Sequence, residues 1–422
     1  MHSRKLLLGG SIWLAALLVY TYQAYGAFKG QGSDFALYYS IGELFDSNTA
    51  TTMYAKSEQG PFYGYSPFVA PFFYYLALVP FTHCKVLFFA LKPLLLAIWP
   101  LLLALSASKE KLSVSALSWG VFATIAVLPA IYEETIVGNI NLYLLTFLFA
   151  ATVLAQRGMV LTAATVVTVI ATFKPQYTLF FIPIFLLRPG RAIIGGILGL
   201  AVLVVQALVH LNTTELVSLH ARWLEMVFEP LAAASDASNM STNGVLQRIL
   251  TPMQLSESGD LQGVNLFNLS AGDALSWVSN FRFVISAFCL APLLFALKSM
   301  RNEGVFALWF ACIILLTLIV TPVIWETHYM LLAYPLYVFA TEMDKAFRWQ
   351  VSATLISVPA FSLYCAGHFL QPSDAFTILA RAYGWPYWSL IFVILVFFLA
   401  RSPAVLRRLD YRRILPRQRV KL

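Results

Sequence analysis

Charge is what this sequence has least of. Only 11% of its 422 residues are Asp, Glu, Lys or Arg, where a soluble domain carries about 25%. Cysteine is scarce too. The four cysteines, Cys84, Cys289, Cys312 and Cys365, are scattered through apolar segments with no C-x-x-C pair, which gives neither a zinc site nor a disulfide framework. No Walker loop, dinucleotide glycine fingerprint, H-E-x-x-H or D-x-D occurs, so a soluble nucleotide-sugar site and a metalloprotease both lack support.

What replaces charge is apolar surface. Hydrophobic residues make up 59% of the chain, and mean hydropathy is +0.75. The apolar stretches are continuous rather than alternating, which predicts membrane helices and not an outer-membrane barrel. They fall near 6–28, 67–105, 113–130, 141–155, 159–173, 175–187, 192–211, 283–298, 304–320, 328–341, 351–369 and 385–400. We therefore expect an all-α polytopic protein of about twelve crossings, forming one transmembrane domain over 1–422. The first run reads as an uncleaved span, with Ala24-Tyr25-Gly26 as the alternative of a signal cleavage site. The run 67–105 holds Pro71, Pro80, Pro93 and Pro100, and reads as a short helix followed by a single crossing.

The net charge of +8 is not a nucleic-acid signature here, because the basic residues gather in short loops. With the N-terminus in the cytoplasm, nineteen of the 28 lysines and arginines fall inside, as the positive-inside rule requires. That puts both termini in the cytoplasm and the basic tail 401–422 against anionic membrane lipid. It puts two long segments outside, 29–66 and 212–280, the second read as a polar, non-helical loop.

The unusual polar residues then share the outer face. Asp34 follows the first span; Ser33 is a candidate helix cap, and Phe35, Tyr38, Tyr39, Ile41 and Phe45 give a helical apolar stripe. Asp34 is either a helix-start acid or a carboxylate able to take a proton from a hydroxyl. Lys174, before Pro175, stands between two apolar runs, where a cation is costly and marks either snorkelling or function. His328 is either a hydrogen-bonded interface residue or a ligand contact. Glu133–Glu134 read as a solvated pair or a second acid site, and Asn139 and Asn141 as helix caps or contacts. Asn239-Met240-Ser241 matches the glycosylation sequon, a reading we set aside for a bacterial-looking chain.

In order, "SDFALYYSIGEL", "YSPF", "GNINLYLLTFL", "FKPQYTLFFIPIFLL", "NMSTNGVLQRIL" and "TPVIWETHYMLL" resemble the integral-membrane glycosyltransferases of family 87, which have the GT-C fold. The resemblance runs over roughly residues 10–340. Three motifs depart from the family's pattern: Tyr65-Ser66-Pro67 stands for Tyr-Pro-Pro, Gly138-Asn139-Ile140-Asn141 for Gly-Gln-x-Asn, and His328-Tyr329 for His-His. The resemblance implies a GT-C bundle with a juxtamembrane helix in the first outer loop. It implies inverting transfer of a hexose, mannose first, from a polyprenyl-phosphate donor to a lipid-linked or polysaccharide acceptor outside a bacterial inner membrane. Asp34 becomes the expected general base, and Lys174 and His328 the expected contacts of the leaving phosphate. Tyr38, Tyr39 and Trp325 are expected to stack on or orient sugar, with Glu134, Asn139, Asn141 and Asn239 as further substrate contacts. Such a reaction needs no metal or other cofactor and no nucleic-acid partner. The rivals are a flippase for a lipid-linked sugar, a glycan ligase or polymerase, and a non-catalytic subunit docking through 212–280.

Overall fold

In a computed structural model, the structure describes residues 2–29, 32–47, 49–54, 64–107, 112–228, 239–252, 265–296, 303–345, 349–367 and 374–400. Among these, every regular element is a helix. The order begins α1 (His2–Lys29), α2 (Ser33–Asp46), α3 (Ala70–Ala77), α4 (Phe81–Ala107), α5 (Val114–Ala126), α6 (Leu128–Val137), α7 (Asn141–Gln156), α8 (Val160–Phe173) and α9 (Phe181–Leu187). It continues with α10 (Pro189–His210), α11 (Thr213–Phe228), α12 (Thr242–Leu250), α13 (Ala271–Ala296), α14 (Glu303–Val320), α15 (Ala333–Lys345), α16 (Trp349–Ala366), α17 (Asp374–Ala382) and α18 (Trp385–Ala400). Short 3-10 segments, Pro175–Phe180 and Glu326–Leu332, lead into α9 and α15.

Two apolar helices show how the bundle sorts itself. In α14, Phe306 through Leu316 are all buried, as are Leu318 and Ile319. A helix apolar all round has to sit in the middle of a large core. In α10, Ile197 and Val209 are 61% and 68% exposed, an arrangement suited to lipid and not to water. The proline-rich run 67–105 resolves into the short α3 and the continuous α4, which keeps Pro93 and Pro100 inside it.

Several expectations change. Among the described residues, Phe81–Ser106 and Pro189–His210 are long and apolar enough to cross a membrane alone. Counting two bent pairs, α5 with α6 and α17 with α18, gives up to four spans, short of the expected twelve. Twelve crossings need an apolar run for nearly every span, and among the described residues many runs are shorter helices or pieces joined at bends. The run ending at 130 in fact continues through α6 to Val137 after a 50° bend at Val127, so Glu133 and Glu134 are helical. The loop 212–280 is not non-helical where described: it carries α11, α12 and the start of α13. The tail 401–422 lies outside the described residues.

Candidate active site

The site begins with two glycines in the left-handed region. Gly32, at φ 57°, caps α2, and Gly138, at φ 71°, caps the end of α6. Only glycine takes these angles without cost. The expected Ser33 cap is replaced by Gly32, with Ser33 already inside the helix. A Cβ on Gly138 would lie 3.0 Å from the Cβ of Phe35 and 3.3 Å from the Cα of Gly32. This contact seats the start of α2 on the α6–α7 turn. Phe35, Tyr38, Ile41 and Phe45 bury the apolar face of α2, leaving Asp34 beside Asn139.

Asn139 Nδ2 donates to Asp34 Oδ2 at 2.5 Å. The Asn139 Oδ1 accepts from the Asn141 backbone N–H at 3.1 Å, which orients the amide. Below it, Lys92 Nζ donates to the Asn139 carbonyl at 2.8 Å and to Glu134 Oε2 at 2.8 Å. Glu134 Oε1 accepts from the backbone N–H of Leu142 at 3.2 Å. Lys92 and Glu134 are both fully buried. Their pair therefore acts as a foundation, and the solvated-pair reading of Glu133–Glu134 is corrected. Asn141 is buried too, and among the described residues its side-chain oxygen and nitrogen find no hydrogen-bond partner.

Across the site, α8 stops at Phe173 because Lys174 is extended (φ −138°, ψ 105°) ahead of Pro175, as the residue before a proline prefers. Lys174 Nζ comes within 3.1 Å of His328 Nε2. His328 Nδ1 accepts the Trp325 backbone N–H at 3.2 Å. A neutral imidazole that accepts at Nδ1 carries its proton on Nε2. With Lys174 as an ammonium, two donors then face one another, an arrangement that an anionic oxygen would satisfy. Among the described residues no carboxylate lies within ion-pairing distance of Lys174.

A cavity of about 340 Å³ opens over Asp34 and Asn139. Glu133 of α6, Trp325, Glu326 and Thr327 of the segment before α15, and Arg381 of α17 complete much of its wall. Trp325 is 38% exposed. Arg381 pairs with Glu326, Nε to Oε1 at 2.5 Å and a terminal nitrogen to Oε2 at 2.8 Å, and lies 3.9 Å from Glu133. Burial raises the Asp34 carboxyl above the usual carboxylate range, opposed by the Asn139 hydrogen bond and by the Lys174 and Lys92 charges.

The structure thus brings Asp34, Asn139 and Trp325 to one cavity, and pairs Lys174 with His328. Other expected contacts lie elsewhere. Tyr38 is buried, stacked on Phe73 with centroids 4.8 Å apart, and its hydroxyl meets that of Tyr65 at 2.8 Å. Tyr39 donates to the Val79 carbonyl at 3.0 Å and sets its ring against Phe81. Neither lines this cavity, because the stripe that makes α2 amphipathic is the face it packs with. Glu134 is replaced in the wall by Glu133. Asn239 is buried, its Oδ1 accepting from the backbones of Ser241 and Ile324 at 3.2 Å each. It ties the loop before α12 to the segment that carries Trp325, and its burial removes it from any glycosylation reading.

Reading the sequence alone passed over Lys92, Arg381 and Arg248. Lys92 carried the same signal as Lys174, a lysine before proline in an apolar run. Arg248 is 1% exposed and donates to the Asn239 carbonyl at 2.9 Å and to the Ala382 carbonyl at 3.2 Å, so α12 holds the end of α17. Arg381 carries no local signal, since only the fold brings it to Glu326. Among the described residues, no three His, Cys, Asp or Glu side chains converge as a metal-ligand set.

Against curated proteins no match was found. The profile of glycosyltransferase family 87 matches residues 62–322, more than half of the chain. With this match, and with apolar helices of membrane-spanning character around a polar cavity, the protein belongs to glycosyltransferase family 87.

Proposed function

We propose that this protein transfers a hexose, mannose first, from a polyprenyl-phosphate donor to a lipid-linked or glycan acceptor at the outer face of a bacterial inner membrane. The observation that carries this reading is the arrangement around the cavity. A carboxylate, Asp34, is held by Asn139 at one wall. Two cationic or donor groups, Lys174 and His328, converge at 3.1 Å, and among the described residues no carboxylate lies within ion-pairing distance of the lysine. The Lys174 charge acts on Asp34, so a base and a phosphate contact stand near one another, as a single displacement at one anomeric carbon requires.

In this mechanism the acceptor hydroxyl enters beside Asp34. Asp34 takes its proton as the oxygen attacks the anomeric carbon, and the bond from that carbon to the phosphate oxygen breaks. A single displacement inverts the anomeric centre. Asn139 fixes which Asp34 oxygen is presented. The leaving phosphate monoester is met by the Lys174 ammonium and the His328 Nε2–H, whose donors suit the charge that develops there. Trp325 offers a ring face to the sugar. The basic residues that gather on one side of the assumed membrane support both termini in the cytoplasm.

The test is sugar transfer from a polyprenyl-phosphate hexose in proteoliposomes. Asp34→Asn keeps the hydrogen bond to Asn139 and removes the proton acceptor, so turnover should fall by about 10²–10⁴-fold while donor binding persists. Glu133→Gln is the rival-base control. Transfer at the normal rate in Asp34→Asn with a dead Glu133→Gln would name the wrong acid. Normal transfer in both would turn attention to a transport assay.

A further inference from the structure

The turn that carries Lys174 holds a second polar group. The 3-10 segment Pro175–Phe180 opens with the Tyr177 backbone N–H donating to the Lys174 carbonyl at 2.8 Å. Such a turn sets residues three apart on one side, which groups Tyr177 with Lys174. Tyr177 is 1% exposed, and among the described residues its hydroxyl finds no hydrogen-bond partner. A buried tyrosine hydroxyl usually has one, and leaving it unpaired costs free energy.

Its neighbours place that hydroxyl. Tyr65 is the side chain that acts on it electrostatically. The Tyr65 ring stands 6.3 Å from the ring of Phe173, the residue before Lys174, and the Asn139 side chain reaches the Tyr65 hydroxyl by a hydrogen bond. Asn139 in turn holds Asp34. Tyr177 therefore shares a turn with the proposed phosphate contact and adjoins the side chains that hold the proposed base.

The same end of the bundle carries another unmet group. α7 and α8 pack as a tight hairpin joined by Arg157-Gly158-Met159. They have 16 and 14 residues, so Asn141, the first residue of α7, comes level with Phe173, the last of α8. Asn141 is 1% exposed, and among the described residues neither polar atom of its side chain finds a partner. Lys174 Nζ and His328 Nε2 stand donor to donor at 3.1 Å. Three kinds of unmet polar group, a hydroxyl, an amide and a facing donor pair, thus gather at one end of one hairpin.

We infer that the Tyr177 hydroxyl is a contact of the donor phosphate, completing with Lys174 and His328 a set of three donors for its oxygens. The inference rests on the transferase reading above and adds a residue to its phosphate site. Phosphate oxygens accept, and a charged acceptor makes the stronger hydrogen bonds. An oxygen that enters between two donors 3.1 Å apart has to part them. The orphaned hydroxyl therefore belongs to the closed, unliganded arrangement, and it gains its partner when the phosphate is seated.

The experiment measures binding without turnover, so its failure is separate from failure of the transferase reading. The full-length protein in dodecyl maltoside is titrated with farnesyl phosphate, a lipid phosphate with no sugar to transfer. Farnesol and inorganic phosphate serve as the two halves of that probe. Thermal unfolding is followed, since a ligand of the native state raises the melting temperature. Wild type should bind farnesyl phosphate more tightly than either half. Without ligand, Tyr177→Phe should melt no lower than wild type, because an unpaired buried hydroxyl is removed and no partner is stranded. Its affinity for farnesyl phosphate should fall about tenfold, the scale of one hydrogen bond to a charged group, with its response to farnesol unchanged. The inference is overturned if Tyr177→Phe binds farnesyl phosphate like wild type, if it melts below wild type without ligand, or if its response to farnesol falls as well. It is equally overturned if wild type does not bind farnesyl phosphate, or binds inorganic phosphate as tightly, which would make this a site for free phosphate. Farnesyl phosphate binding that depends on Tyr177, with no transfer from a polyprenyl-phosphate hexose, would support the contact and sink the transferase reading alone. Normal transfer in Tyr177→Phe would leave that reading standing and remove Tyr177 from it.

Discussion

Two lysine–proline pairs stand in apolar surroundings, and the structure gives them opposite settings. Pro93 remains inside α4, the helix runs on, and Lys92 is driven into the core. There it meets Glu134 at 2.8 Å with both side chains fully buried, and it sits 4.9 Å from the centre of the Phe88 ring. Pro175 instead marks the end of α8, and Lys174 is left extended and half-buried at the break. Its near neighbour is an imidazole at 3.1 Å. The lesson is that a lysine in an apolar run says only that something must meet its charge. A carboxylate of the same chain makes it part of the framework. At a break in the helix, with no carboxylate among the described residues at ion-pairing distance, the lysine is the one proposed above as a phosphate contact.

The comparison predicts its largest effect at Lys92. Lys92→Met would leave Glu134 buried with no counter-ion, which costs about 3–5 kcal/mol when one partner of a buried pair is removed. Folded protein should be lost, seen as a collapse of the monodisperse peak in detergent. Lys92→Met with Glu134→Gln should recover much of it, because the uncompensated charge is gone. If Lys92→Met folds normally and loses only activity, Lys92 is a ligand contact and the contrast is broken.

Lys174→Met should act the other way round. Among the described residues no carboxylate loses an ion-pair partner, so the protein should fold and melt close to wild type. Transfer should fall about 10²–10³-fold, the scale of losing one donor aimed at developing charge. Lys174→Arg should restore part of it, since the cation returns in another shape. Wild-type turnover in Lys174→Met would make this lysine a snorkelling residue after all.

These two residues also show how much the sequence discloses. Hydropathy alone places α7 and α8 within a residue of their observed ends, because an apolar run between Gly138-Asn139 and Arg157-Gly158, or one ending at Lys174-Pro175, is bounded by its own chemistry. Asp34 and Lys174 stand out for a related reason, being polar where the local pattern is apolar. Partnerships do not show. Glu133 and Glu134 looked alike as neighbours after a proline, yet successive residues on a helix point about 100° apart, so one meets Arg381 and the other Lys92. Tyr38 and Tyr39 show the same limit, since an aromatic stripe is a packing face as readily as a sugar platform. Arg381 falls in no motif and between the apolar runs 351–369 and 385–400, and only the tertiary fold brings it to Glu326.

The smallest effect is also the most discriminating, because both lysines act on one group. Burial raises the Asp34 carboxyl above the ordinary range, while Lys174 and, less strongly, Lys92 hold it down. As the proposed base, Asp34 works only as the carboxylate. The acid limb of kcat/KM should therefore lie at higher pH than an unperturbed aspartate near 3.9 would give. In Lys174→Gln, the residual activity should fall away at still higher pH, since a favourable charge has gone and nothing has replaced it. The stability effect has a definite sign. A carboxyl whose folded-state pKa is raised binds its proton more tightly in the folded protein. Its stabilising contribution is present in acid, below the unfolded value, and is lost as pH rises through the folded one. Near neutral pH, an ionised Asp34 is thus a burden on the fold. Asp34→Asn should then melt above wild type near neutral pH, and this gain should shrink as the solution is acidified through the raised value. A dead enzyme that is more stable at neutral pH and not in acid would mark Asp34 as a group kept for chemistry at a cost to folding. An Asn variant that melts lower at neutral pH would mean that the carboxylate is held by more favourable contacts than Asn139 and the two lysines. The contrast between a framework lysine and a ligand lysine would then need a third, structural role for the acid between them.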